Sequence, residues 1–175
     1  DYFSSAMGIL ENESIDLILL DIEVSLKNNF NLETASSFDI DLILNLYKEK
    51  KIDKKRIIIH NGYKTEEYLQ RIINMQEAGF VNSIIVLDSE TELSRILNLN
   101  IKTKIKIGLR MAINEEAQSS YYTSRLGIRH TKIIEFFEKN IKNNDKVELK
   151  MLHFFVDSGI KDTLYYWGEF QRALK

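Results

Sequence analysis

Residues 150–167 read KMLHFFVDSGIKDTLYYW and place three kinds of segment in immediate succession. Residues 151–156 form an apolar run of strand length, and residues 157–159 form a polar loop that ends in a glycine. Leu164 and Trp167 then share one face of a helix. Such a loop places the hydroxyl group of Ser158 and backbone N–H groups beside a helix N-terminus, where an anion is stabilised. This stretch therefore predicts a strand, an anion-binding turn and a helix in an α/β fold.

The same alternation of strand and helix continues toward the N-terminus. Apolar strand patterns occupy residues 30–33, 56–60, 83–87, 104–111 and 149–156. Helical patterns follow them, over about 40–47, from 68 to a stop at Gly79, over 89–97, over about 131–141 and from about 161. The predicted core side chains of the first and fourth helices are Ile40, Ile43, Leu44 and Tyr47, then Ile133, Ile134, Phe136, Phe137 and Ile141. Residues 15–22 fit either a strand or a helix.

Two helix starts carry capping patterns. Ser36 precedes Asp39, which stands where a capping box usually has Glu or Gln. Ser89 precedes Glu92 in a complete capping box. Both patterns predict that a helix begins immediately after the serine.

Repeated strand–helix units predict a parallel sheet with right-handed connections. No G-x-G-x-x-G turn follows a strand, which disfavours an open dinucleotide-binding sheet. A (β/α)8 barrel explains the repeat better, but a complete barrel needs roughly 250 residues. With 175 residues and five or six units, the chain is predicted to form one domain, a partial TIM-type barrel.

Composition excludes several classes of function. The net charge is −2 with Lys and Glu scattered along the chain, so neither a nucleic-acid surface nor a polybasic membrane patch is predicted. The chain has no cysteine, and its apolar runs are too short and too charged to span a bilayer. No cleavable signal pattern opens it. We expect a cytoplasmic domain.

In parallel βα folds, functional side chains lie at the C-terminal ends of the strands. These positions hold Glu33, His60, Asn61, Asp88, Arg110, His153 and Ser158. Asp88 fits a helix cap better than a catalyst, and the alternative for His60 is a strand end at the surface. Arg110 closes an Ile-rich strand and needs a carboxylate or phosphate partner if it is buried. The set suits an anionic ligand held by Arg110 and the Ser158 loop.

Metal and nucleophile motifs are missing from the sequence. His60, His130 and His153 lie far apart, without an H-x-x-x-H or H-E-x-x-H pair. Neither a G-x-S-x-G elbow nor a P-loop occurs. The residues alone therefore indicate part of a barrel enzyme that binds an anionic group.

Five ordered motifs resemble those of the biosynthetic arginine decarboxylases, pyridoxal-phosphate (PLP) enzymes with an alanine-racemase-like barrel. The motifs are NLETASS at 31–37, NGYK at 61–64, IGLRMA at 107–112, SRLGI at 124–128 and MLHFF at 151–155. The resemblance covers about residues 24–175, whereas residues 1–23 do not match. It implies a barrel that binds PLP, and it leaves Mg²⁺ as a further candidate cofactor.

The resemblance assigns roles to residues. Glu33 is similar to the acidic residue near the cofactor, Arg110 to the arginine that faces it, and Ser158 to the serine that binds its phosphate. Asn61 and Lys64 match the N-G-Y-K motif without an assigned role. Asp39 stands where relatives have a second acidic residue, although capping explains it equally well.

The resemblance also implies that two further residues, Phe155 and His153, lie near the cofactor. Phe155 stands where many relatives have a histidine stacked on the pyridine ring, and a phenylalanine can stack but cannot donate a hydrogen bond. His153 is also a candidate, although we expect it on the side of the strand opposite to Phe155.

The implied reaction is decarboxylation of arginine to agmatine in polyamine and spermidine biosynthesis, by a homo-oligomer in full-length form. The family's Schiff-base lysine precedes Glu33, but residues 1–26 contain no lysine. The glycine-rich phosphate loop lies beyond Lys175 in the family. We therefore expect the isolated chain to be inactive. A non-catalytic binding or partner module is one alternative, and a decarboxylase for lysine, ornithine or carboxynorspermidine is another.

Overall fold

The computed structural model describes residues 31–112 and 126–154, together with Leu26, Trp167, Gly168 and Gln171. Strands and helices alternate through these residues. The strands are β1 (Leu32–Thr34), β2 (Ile58–His60), β3 (Ser83–Leu87), β4 (Ile105–Ala112), β5 (Ile128–Arg129) and β6 (Val147–His153). The helices are α1 (Ser37–Lys48), α2 (Glu66–Glu77), α3 (Glu90–Leu97) and α4 (His130–Asn140).

The strands form one parallel sheet in which chain order and spatial order agree. β1, β2, β3 and β4 lie side by side, β6 pairs with β4 over most of its length, and β5 pairs with the last residues of β4. Parallel neighbours joined through helices are the wall of a (β/α) barrel. The predicted α/β class and parallel sheet are confirmed.

The strands present two different faces. On the outer face, which packs against the helices, Ile58, Ile85 and Ile107 are fully buried. The inner face carries the alternate residues of the same strands, such as Val86 and Gly108, which are register partners. A Cβ on Gly108 would lie 3.3 Å from the Met151 Cβ, so β4 and β6 approach closely there. This alternation decides which strand-end residues meet.

The start of α1 follows its predicted pattern. The Asp39 carboxylate accepts hydrogen bonds from the backbone N–H groups of Ser36 and Ala35, at 2.9 and 2.7 Å. At α2, Thr65 is the N-cap and its hydroxyl accepts from the Tyr68 N–H. The helix ends before Gly79, whose φ of +102° is the left-handed conformation that glycine adopts most readily.

The predicted capping box at α3 is wrong in its hydrogen bonding. Ser89 is the N-cap, but its side chain makes no capping hydrogen bond and instead contacts the Thr91 hydroxyl. The buried Glu92 accepts the N–H of Asp88. Glu92 therefore turns toward the sheet, where a cation is available to it.

Other sequence expectations need correction. Ile134 and Tyr47 do not belong to the buried core: Ile134 is 64% exposed and Tyr47 is 38% exposed, whereas the neighbouring Leu46 is buried. The short strand β5 was not predicted, because two residues are too few to show a periodicity.

Several predictions lie outside the described residues. They concern residues 1–23, the connection at 119–124, and both Phe155 and Ser158. Most of the helix expected from about residue 161 also lies outside, although Trp167 and Gly168 are helical.

Candidate functional site

Five of the seven predicted strand-end residues lie together on the inner face. Glu33 is in the middle of β1, Asn61 and Asp88 directly follow β2 and β3, and Arg110 and His153 are register partners on β4 and β6. Alternation along adjacent strands explains the grouping, because residues of like parity in registered strands share a face.

Hydrogen bonds connect three of these residues across three strands. The Asn61 Nδ2 donates to Glu33 Oε1 at 2.9 Å, and the Arg110 Nη1 donates to Asn61 Oδ1 at 3.4 Å. Asn61 is thus held by an acceptor on one side and a donor on the other. The result is a fixed polar row that places the guanidinium of Arg110 above the centre of the sheet.

Asp88 supplies the carboxylate partner that a largely buried arginine requires. Its Oδ1 lies 3.6 Å from Arg110 Nη1, and its Oδ2 lies 3.8 Å from Lys64 Nζ. The Arg110 side chain is 12% exposed and that of Asp88 is 4% exposed. Neither carboxylate oxygen of Asp88 accepts a hydrogen bond from the described residues, so both retain acceptor capacity for a ligand.

Lys64 is completely buried beside Asp88. Its ammonium donates to the carbonyl oxygens of Gly62 and Val86, at 2.7 and 2.6 Å, and lies 3.3 Å from Glu92 Oε2. Three acceptors use the full donor capacity of an ammonium group. Burial raises the pKa of Glu92, and the nearby Lys64 charge opposes that rise.

His153 extends the cluster on β6. Its Nδ1 is buried without a hydrogen-bond partner. Burial first, and then the positive charge of Arg110, lower the pKa of His153, while Glu33 and Asp88 act in the opposite direction. Phe155 lies outside the described residues, so the expected placement of His153 relative to it is not tested, although residues two apart in a regular strand share a face.

His60 lies on the outer face and not at the surface, so the prediction of a surface strand end is wrong. Its Nδ1 lies 2.6 Å from Thr34 Oγ1 and its Nε2 lies 2.6 Å from Ser83 Oγ. Thr34 also hydrogen-bonds the Tyr68 hydroxyl. Burial, with a smaller effect from Lys64, lowers the pKa of His60 to about 3, so the ring is neutral. Its hydrogen-bonding atoms are all used within the fold.

Gly127 contributes backbone to the site, which the sequence did not predict. Its N–H donates to the carbonyl oxygen of Asp88 at 2.6 Å. Its φ is +109°, and a Cβ there would lie 2.7 Å from the backbone nitrogen of Ala112. Only glycine fits this position without displacing the end of β4. Lys64 and Glu92 were also missed as neighbours of Asp88, since spacing alone cannot show that they meet.

Two features are absent from the described ranges of the chain. Within them, no group of three or more His, Asp or Glu side chains is arranged to hold a metal ion. The binding of Mg²⁺ therefore stays a prediction. No helix in the described part of the chain has the length and hydropathy to cross a membrane.

The inner face fits a polar, charged organic cofactor. It offers a cation at Arg110, acceptor oxygens at Asp88, and a neutral ring nitrogen at His153, and the last two are buried without hydrogen-bond partners. Buried polar atoms of this kind are rare unless a ligand or water completes them. On the outer face, the side chains of His60, Thr34 and Ser83 hydrogen-bond one another or Tyr68.

Comparison with known proteins identifies the class of domain. Residues 22–175 match the model of the pyridoxal binding domain of pyridoxal-dependent decarboxylases. The chain is 26% identical over 141 residues to an arginine decarboxylase of Solanum lycopersicum, covering 77% of this chain and 28% of that protein. It is 26% identical over 176 residues to a biosynthetic arginine decarboxylase of Prochlorococcus marinus subsp. pastoris, covering 93% and 26%. The chain spans about a quarter of the length of such relatives.

Solved structures show the same fold. The lysine decarboxylase of Selenomonas ruminantium superimposes with a TM-score of 0.64 at 11% identity, covering 87% of this chain and 36% of that one. The arginine decarboxylase of Paramecium bursaria Chlorella virus, solved with agmatine bound, gives 0.58 at 21%, covering 86% and 40%. The predicted partial, alanine-racemase-like barrel is confirmed.

Proposed function

On the premise that this chain belongs to the pyridoxal-dependent decarboxylase family, through its pyridoxal binding domain, we propose that it forms the cofactor-facing barrel wall of an arginine decarboxylase. The full-length protein would convert arginine to agmatine and CO₂ for polyamine synthesis, as a cytoplasmic homo-oligomer. The relatives named arginine decarboxylase support this choice of substrate.

One observation carries the proposal. The inner face gathers a half-buried arginine, a half-buried neutral histidine and a buried carboxylate that accepts no hydrogen bond from the described residues, all at the C-terminal ends of neighbouring strands. This is the end of a barrel sheet where ligands bind. When bound, PLP supplies an electron sink for the electron pair that remains after CO₂ departs.

The residues of this chain would hold and orient that group. Arg110 faces it with a fixed positive charge, and Glu33 supports Arg110 through Asn61. His153 offers a neutral nitrogen beside Arg110. Phe155 would stack on the ring, and Ser158 would bind the phosphate in the loop that follows β6. These roles require no proton transfer by the described residues.

Lys64 is unsuited to the covalent role that the family assigns to a lysine. Its side chain is fully buried and saturated by two carbonyl oxygens and Glu92. A nucleophilic amine must be neutral and reachable. We therefore propose that the isolated 175-residue chain does not decarboxylate amino acids.

The direct test is borohydride reduction of the PLP-loaded full-length protein, followed by peptide mapping. We expect PLP fixed to a lysine other than Lys64, together with CO₂ release from arginine that exceeds release from lysine or ornithine. A holoprotein that cannot be trapped would contradict the enzyme proposal and favour the non-catalytic binding module. Faster release from another basic amino acid would contradict only the substrate.

The assigned site has its own test. Arg110→Ala and Ser158→Ala should each weaken PLP binding about tenfold, because each removes a charged or hydrogen-bonding partner of the cofactor worth roughly 1.4 kcal/mol. PLP fluorescence titration of the full-length apoprotein measures this. Unchanged affinity in both variants would remove these residues from the site.

A further inference from the structure

Lys64 joins three separate segments of the barrel wall. Its ammonium binds the carbonyl of Gly62 in the turn after β2, the carbonyl of Val86 in β3, and the carboxylate of Glu92 in α3. Arg95 of α3 in turn donates to the Lys64 carbonyl at 2.8 Å. A lysine buried this fully needs such partners, because an unpaired buried charge is strongly unfavourable.

The charges around Lys64 form a balanced group. Two cations, Lys64 and Arg110, face two carboxylates, Asp88 and Glu92. Asp88 lies between the cations, 3.8 Å from one and 3.6 Å from the other, and its oxygens accept no hydrogen bond. Its position therefore depends on charge attraction from both sides and on its backbone, whose carbonyl accepts from Gly127.

Arg110 receives its orientation from this arrangement. Its Nη1 contacts Asn61 Oδ1 at 3.4 Å and Asp88 Oδ1 at 3.6 Å, so one nitrogen is held from two strands. Without the Asp88 carboxylate, one of these two attractions is lost. A guanidinium on a long flexible side chain loses rotamer freedom when it is held, and the partners that hold it set the geometry that a ligand meets.

We infer that Lys64 and Asp88 are positioning residues that hold the guanidinium of Arg110 toward the cofactor. Lys64 holds the Asp88 carboxylate in place, and Asp88 holds Arg110. This inference rests on the proposed function, since it assumes that Arg110 meets PLP. According to this inference, Lys64 of the N-G-Y-K motif acts on the cofactor site through Asp88 and Arg110 and does not contact the cofactor.

A double-mutant cycle on the full-length apoprotein tests the inference by PLP titration. Asp88→Asn and the charge-balanced Lys64→Met/Glu92→Gln should each weaken PLP binding about tenfold. In an Arg110→Ala background, both changes should have almost no further effect, because their influence passes through Arg110. Additive losses in that background would overturn the inference.

Controls separate positioning from folding and from the proposed function itself. Lys106→Met alters a lysine of the same inner face that pairs with Asn82 at the other end of β4, and it should bind PLP normally. Lys64→Met/Glu92→Gln also removes the donor to the carbonyls of Gly62 and Val86, so it should melt below the wild type, and thermal melting must show that it is folded at the temperature of the titration. Normal PLP affinity in Asp88→Asn overturns the inference, whereas a wild type that does not bind PLP overturns the proposed function.

Discussion

The two faces of the sheet both carry buried polar side chains, but they use their hydrogen-bonding atoms differently. On the outer face, both ring nitrogens of His60 contact hydroxyl groups, and Thr34 also contacts Tyr68. On the inner face, the Asp88 oxygens and the His153 Nδ1 have no hydrogen-bond partner in the part of the chain that the structure describes. Saturated groups stabilise a fold, whereas unsaturated buried groups indicate a site for a ligand.

The difference depends on a shift of one residue along a strand. His60 and Asn61 are neighbours in the chain, yet His60 packs toward the helices and Asn61 binds Glu33 and Arg110 on the inner face. Successive residues of a strand point to opposite faces. Of this polar pair, His60 therefore stabilises the fold, whereas Asn61 contributes to the candidate binding site.

The largest expected effect breaks the outer-face group. His60→Ala should lower the free energy of unfolding by about 3 kcal/mol, because it leaves the Ser83 hydroxyl without a partner and opens a cavity. Urea denaturation of the full-length protein measures this. The exposed His130 provides the control, since His130→Ala should change stability by less than about 0.5 kcal/mol. Equal effects of the two changes would contradict the structural role of His60.

The next effect is a dependence of stability on pH. The folded pKa of His60 is about 3, below the ordinary histidine pKa of 6.5, so the unfolded chain binds a proton first as pH falls. Stability is therefore fully present above pH 6.5 and declines between about pH 6.5 and 3. From pH 7 to pH 5 the loss due to His60 is about 2 kcal/mol.

Comparison with His60→Gln isolates this contribution from those of the carboxylates. The variant lacks the titrating ring, so its stability should fall less steeply over the same range of pH. Parallel pH profiles for the two proteins would show that His60 is not the neutral buried ring described.

The smallest effect concerns the inner face. Glu33 is exposed, and Glu33→Gln keeps an oxygen that accepts from Asn61, so stability should change by less than about 0.5 kcal/mol. PLP affinity should fall, but by less than the loss in Arg110→Ala. Thermal melting and PLP titration of the same samples measure both quantities. A large loss of stability with normal PLP binding in Glu33→Gln would contradict the conclusion that the inner face serves binding and not stability.

Much of the architecture followed from local pattern. The strand at Ser83–Leu87 was predicted with its observed bounds, since five consecutive buried residues can hardly be anything other than a central parallel strand. The first helix began where Asp39 predicted it. Motif order also identified the family, because five spaced motifs are far more specific than one.

Local sequence patterns did not predict the contacts between segments that are distant in the chain. Lys64 follows a glycine turn, where a lysine is normally solvated, yet it is buried against Val86 and Glu92, which lie 22 and 28 residues further along the chain. Glu92 matches the capping-box pattern in the sequence. In the structure its carboxylate pairs with the buried Lys64 instead of the Ser89 N–H, because a charged partner attracts a carboxylate more strongly than a backbone N–H does.

The amino-acid sequence by itself determined the alternation of strands and helices, the parallel sheet and the family, because periodicity and short motifs are local properties. Tertiary structure alone decided which polar residues meet: His60 on the outer face, and Arg110 between Asn61 and Asp88 on the inner one. The physical reason is register. Pairing between strands far apart in the chain sets which side chains share a face, and burial then decides which charges must find each other.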